Sequence, residues 1–224
     1  MPKVIKFPEQ DRYPHPEYLN LNQLDVLAEG HTFIHSTDLV YYMGEYISRK
    51  GWSAGPVNSH ISNIKRTPSE CSSRADFQRH KERSIREIAR EFTKAIDSSF
   101  LADVTFVPIP PSKCKQDPEY DDRLIRILDF IHQGQKEKHV CELLYQTEST
   151  RASHLSDDNR VTTSELLQVL KVDLSLIDRV RPIIVLFDDI LTTGRHYRAA
   201  REVIEKHKPE TKFIGLFFAR RVFD

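Results

Sequence analysis

Residues 183–200 read I-I-V-L-F-D-D-I-L-T-T-G-R-H-Y-R-A-A. A run of large apolar side chains delivers two adjacent carboxylates, Asp188 and Asp189. Two hydroxyl residues and a glycine, Thr192, Thr193 and Gly194, then stand where a helix would begin. The first N–H groups of a helix lack intrahelical partners and carry a partial positive charge, so this loop, with Arg195 and His196 behind it, suits a phosphate monoester. Carboxylates repel phosphate. Asp188 and Asp189 suit sugar hydroxyls instead, or a magnesium ion that the same hydroxyls touch. Phosphate at one end and vicinal hydroxyls at the other describe a ribose 5-phosphate. Two acids at a strand end also form solvated turns, and T-T-G is an ordinary helix start. The buried-type strand before them and the small residues Ala199 and Ala200 behind them favour a site.

The elements that must position these residues follow from periodicity. Residues 104–107 (V-T-F-V), 140–145, 183–187 and 213–218 read as strands. Between them, Ile85, Ile88, Ala89, Phe92 and Ile96, then Leu124, Ile127, Leu128 and Ile131, recur at helical spacing, and a further helix is expected over residues 195–206. Alternation of this kind predicts an α/β fold, a mostly parallel sheet flanked by helices with its ligand at the carboxyl ends of the strands. Upstream, Leu39, Tyr42, Met43, Tyr46 and Ile47 fit one helix face capped by Thr37 and ended by Gly51. Pro56 then opens a second helix carrying Val57, Ile61 and Ile64, and residues 67–76 form a polar break. The division expected is an amino-terminal arm and helical hairpin over 1–76 and an α/β domain over 77–224.

Composition narrows the function classes. The chain has 224 residues with 33 basic and 33 acidic side chains, so no global field draws it to nucleic acid or anionic lipid. Seven glycines, none in a G-x-G-x-x-G or Walker arrangement, exclude the usual dinucleotide and nucleoside-triphosphate loops. Cys71, Cys114 and Cys141 are far apart and form no C-x-x-C, which fits a reduced cytoplasmic protein without a zinc knuckle. The opening residues lack the apolar run of a signal peptide, and no apolar run approaches the roughly 18 residues a spanning helix needs.

The strand, acid pair and T-T-G loop over residues 183–194 resemble the signature of type I phosphoribosyltransferases. Further residues resemble the competence-associated, ComF-like branch: Val107-Pro108-Ile109-Pro110 is similar to its V-P-x-P strand end. Glu119-Tyr120-Asp121-Asp122 falls where the branch has G-F-N-Q, and Ser153-His154-Leu155-Ser156 with Arg160 is similar to its flap. The likeness spans residues 100–224. It implies a magnesium-dependent transfer from phosphoribosyl pyrophosphate to a nitrogen nucleophile, and a pyrophosphate loop at Pro110, Pro111, Ser112 and Lys113, with Lys115 the alternative cation. It also implies catalytic roles for Asp188, Asp189 and Lys113, a flexible flap over 147–163, and a homodimer as one form. His196 departs from the family's Thr or Ser, and the zinc-binding cysteines of many ComF-like chains are absent.

Two alternatives stand beside that reading. The fold also serves non-catalytic sensors of the same ligand, here with a link to DNA uptake or other DNA transactions. The expected hairpin over 37–66, with Lys65 and Arg66 at its end, has the spacing of a DNA-groove reader. A helical cap over the sheet and weak or no nucleic-acid binding are the expectation.

Overall fold

The computed structural model describes residues 21–25, 30–135, 137–150 and 162–223. The strands are β1 (Asn22–Gln23), β2 (Leu39–Ile47), β3 (Thr105–Pro108), β4 (Leu144–Gln146), β5 (Leu170–Val172), β6 (Ile183–Leu191) and β7 (Lys212–Val222). The helices are α1 (Pro56–Ile64), α2 (Pro68–Ser73), α3 (Ala75–Ala95), α4 (Ser98–Asp103), α5 (Arg123–Ile131), α6 (Thr163–Val169) and α7 (Arg195–Glu205). One sheet has the order β1-β2-β7-β6-β3, in which only the β1 pairing is antiparallel. The expected α/β class with a mostly parallel sheet flanked by helices is therefore present.

Alternation along β6 explains why both faces are covered. Val185 and Phe187 pack with Ile61 and Ile64 of α1, Ile85, Ile88 and Phe92 of α3, and Leu124 and Leu128 of α5. Ile184 and Leu186 face the other way, against Tyr197, Ala199 and Val203 of α7 and Leu166 of α6. A strand buried on both sides reads as a continuous apolar run, as residues 183–187 do. Ala199 and Ala200, both at 0% exposure, bring α7 close to the sheet.

The helix expected over 37–50 is instead β2, parallel to β7 from Leu39 opposite Ile214 to Ile47 opposite Val222. Apolar residues at 39, 42, 43, 46 and 47 fit a helix face equally well, but Val40 and Tyr41 point to opposite cores and both are buried. Valine, isoleucine and three tyrosines favour the pleated surface. No helical hairpin exists over 37–66, and the groove-reading alternative loses its first helix. β2 precedes residue 77 yet shares a sheet with β3, β6 and β7.

Other differences are smaller. The polar break at 67–76 contains α2, started by a capping box in which Thr67 Oγ1 accepts from the Glu70 N–H and Glu70 accepts from the Thr67 N–H. The strand expected over 140–145 divides: Val140 bridges Phe106, and β4 pairs with β5 as a separate antiparallel ribbon. Ser153, His154, Leu155, Ser156 and Arg160 lie outside the described residues. Among the described residues, no helix is long and apolar enough to cross a membrane.

Candidate functional site

At the carboxyl ends of β3 and β6 lies a cleft of about 460 Å³. The structure brings Asp188, Asp189, Thr192, Gly194, Arg195, His196, Pro111, Ser112 and Lys113 to its walls; Thr193 is not among the lining residues. Lys65, Thr67 and Ser69 from the α1–α2 junction and Glu119, Asp121 and Arg123 from before α5 complete it.

The T-T-G loop is held from behind by residues 31–38. The Phe33 N–H donates to the Thr193 carbonyl at 2.9 Å, and His31 Nδ1 meets the Thr192 carbonyl. Each trans peptide is planar with N–H opposite C=O, and no cis bond occurs among the described residues. Tying those two carbonyls to residues 31–33 therefore turns the Thr193 and Gly194 N–H groups away from that segment. Gly194, the residue capping α7, has φ +86°, and a Cβ there would stand 2.5 Å from Ile34 Cδ1. The segment is itself anchored: the Asp38 carboxylate, 0% exposed, accepts from Arg198 and Arg201 of α7 and from the His35 N–H. Arg195 stacks over Phe33, its guanidinium carbon 4.8 Å from the ring centre.

Asp188 and Asp189 are adjacent in sequence but electrostatically different. The Asp189 side chain is 2% exposed; Oδ2 accepts from Arg123 Nε at 2.7 Å, and Oδ1 lies 3.2 Å from Lys65 Nζ. Burial would raise its pKa, but Lys65 and Arg123 outweigh that and hold the carboxyl below the usual range. Asp188 accepts the Asp189 N–H on Oδ1 at 2.7 Å. Burial, reinforced by the charge of Asp189, pushes its pKa up. Arg123 Nη1 also reaches Asp121 Oδ2 at 3.0 Å, which Lys81 Nζ meets at 2.8 Å. The result is a chain of ions, Lys65–Asp189–Arg123–Asp121–Lys81, buried except at the half-buried Lys65, along the wall of the cleft.

That network bears on magnesium. Magnesium demands near-octahedral oxygen ligands at about 2.1 Å. Both Asp189 oxygens are already engaged by cations, one Asp188 oxygen is engaged by an amide, and among the described residues no three His, Cys, Asp or Glu side chains gather as a metal-ligand group. The acid pair as it stands does not fit the ion.

Around the rim, Lys113 Nζ lies 3.2 Å from Asp117 Oδ2, which also accepts from Ser149 Oγ at 2.6 Å. The Thr150 N–H donates to the Ser112 carbonyl at 2.7 Å, so residues 149–150 are tied to the 110–113 loop. Lys115 pairs with Glu142 at 2.5 Å and lines a smaller neighbouring pocket. Burial, with Lys65 and Arg195 nearby, lowers His196 to about 4, so its ring is neutral at pH 7 and one ring N–H can donate.

Sequence reasoning missed Lys65 and Arg123 as site residues. Lys65 read as a groove contact, and Arg123 was given no role. It also read His31 and His35 as structural or exposed and gave Asp38 no role, because ties that span about 160 positions leave no local period. No family model matches the chain, and no curated protein matches it significantly.

Proposed function

We propose that the cleft binds phosphoribosyl pyrophosphate and that the chain transfers its phosphoribosyl group to a nitrogen nucleophile. The observation that supports this best is the convergence, in one cleft at the strand ends, of a helix-capping T-T-G loop, an acid pair and the 110–113 loop. The carboxyl ends of parallel strands are where open α/β sheets take their ligands. In this reading the Gly194 N–H, the Thr192 hydroxyl and His196, which line the cleft, receive the 5-phosphate. Asp188, with one oxygen not occupied by the Asp189 amide, accepts a ribose hydroxyl. Lys113 and Arg195 meet the pyrophosphate.

The nitrogen lone pair forms a bond to the anomeric carbon as the bond from that carbon to the pyrophosphate oxygen breaks. The bonding electrons leave with pyrophosphate, and the nitrogen's surplus proton passes to solvent. Positive charge develops on the ribose ring in the transition state; Asp189 is already paired with Lys65 and Arg123, so Asp188, when ionised, and the departing pyrophosphate are the anions that stabilise that charge. Positioning and electrostatics supply the catalysis, with no covalent enzyme intermediate. Pyrophosphate release across a panel of nucleobases and amines tests the transfer. Release with one acceptor supports an enzyme, whereas tight binding with no release across the panel makes the chain a sensor.

A further inference from the structure

Resting on that reading, we infer that Lys65 at the end of α1 takes the place of a divalent ion, so that the cleft accepts phosphoribosyl pyrophosphate without a metal. The acid that would help recruit a metal is closed: Lys65 Nζ stands 3.2 Å from Asp189 Oδ1 and Arg123 Nε 2.7 Å from Oδ2. A metal ion entering here would have to sit beside both cations or displace one of them.

Lys65 is not a wandering surface lysine. Its N–H caps α1 by donating to the Ile61 carbonyl at 3.1 Å, and Ile61 and Ile64 of that helix are buried in the core. The start of α1 is fixed to the end of β2 by Asn58. Its Oδ1 accepts the Ile47 N–H at 3.0 Å, and its Nδ2 donates to the carbonyls of Ile47 and Gly51, each at 2.9 Å. The backbone that carries the lysine is thus anchored, and Asp189 holds the ammonium itself.

Burial divides its two sides. The Asp189 side chain is 2% exposed and that of Lys65 30%, and Lys65 lines the cleft. An ammonium has three donors. With one directed to Asp189, the others can serve ligand oxygens; Arg195 brings further positive charge to the same cleft, as does Lys113 where a polyanion displaces its Asp117 partner. Fixed cations that neutralise a bound polyanion do the electrostatic work for which a magnesium–pyrophosphate complex would otherwise be needed.

Calorimetric titration of the full chain with phosphoribosyl pyrophosphate, in excess EDTA and in excess magnesium, tests this. The affinity in EDTA should lie within about twofold of that in magnesium. Lys65→Met, which removes one charge-assisted hydrogen bond, should lose at least about tenfold in EDTA and recover part of it in magnesium, because Asp189 Oδ1 is then open. Binding by the wild type only in magnesium, or unchanged binding by Lys65→Met in EDTA, overturns the inference while the ligand assignment stands. Absence of binding under both conditions overturns the ligand assignment and the inference with it. Should Lys65→Met not fold, the wild-type comparison still decides, and Lys65→Arg, which keeps the charge, should bind in EDTA.

Discussion

Replacing Gly194 with alanine perturbs the phosphate loop with a single methyl group, and two separate costs follow. A φ of +86° is unfavourable for any residue with a Cβ, by about 1–2 kcal/mol. The added carbon would also lie 2.5 Å from Ile34 Cδ1 and 2.7 Å from Cγ1, and overpacking of this kind costs about 1–3 kcal/mol. Their sum, about 2–5 kcal/mol, corresponds to a fall in Tm of roughly 4–20 °C for a chain of this size. The two parts separate in a double-mutant cycle read by urea denaturation. Ile34→Ala alone leaves a cavity and destabilises by about 2–5 kcal/mol. In Gly194→Ala with Ile34→Ala, the new methyl enters the vacated space, so the double variant should be about 1–3 kcal/mol more stable than the sum of the single effects predicts. The φ cost stays, and ligand binding should remain impaired because the Gly194 N–H is no longer held in place. Additivity within about 0.5 kcal/mol would refute the argument that residues 31–38 press against and shape the loop.

Arg123→Met leaves Asp189 and Asp121 facing one another without their shared guanidinium. It should cost about 3–5 kcal/mol in urea denaturation, and Arg123→Lys, which keeps the charge, should cost less. His196 is held neutral in the fold at pH values where the unfolded chain, with its histidine near 6.5, takes up a proton. The unfolded state then binds more protons, so this residue's contribution to stability is lost as pH falls from about 6.5 to about 4. The wild-type melting temperature should therefore drop over that window more steeply than that of His196→Gln, and parallel curves would contradict the assignment.

The central strands were legible because burial on both faces writes a continuous apolar run, and residues 183–187 can hardly be read otherwise. α5 and α7 were legible from their 3.6 period, since each packs one face on the sheet. β2 was not, because a strand of tyrosine, methionine and leucine partly covered on both faces places apolar residues at helical intervals as readily as at strand intervals, and only its pairing with β7 decides. The T-T-G loop and acid pair were visible as residue types in order along one chain segment. The partners that define their chemistry were not: Lys65, Arg123 and the 31–38 segment reach the loop and acids across the tertiary fold. Magnesium was expected from two acids side by side, and what alters that expectation is a pair of cations delivered from other elements.

The most direct test follows individual amides in an NMR titration with phosphoribosyl pyrophosphate. The Thr193 and Gly194 N–H resonances should shift progressively to saturation, while the indole of Trp52, 74% exposed and absent from the cleft lining, stays in place. If both loop amides remain unmoved at millimolar ligand, the T-T-G turn is not a phosphate site and the account of this cleft is wrong.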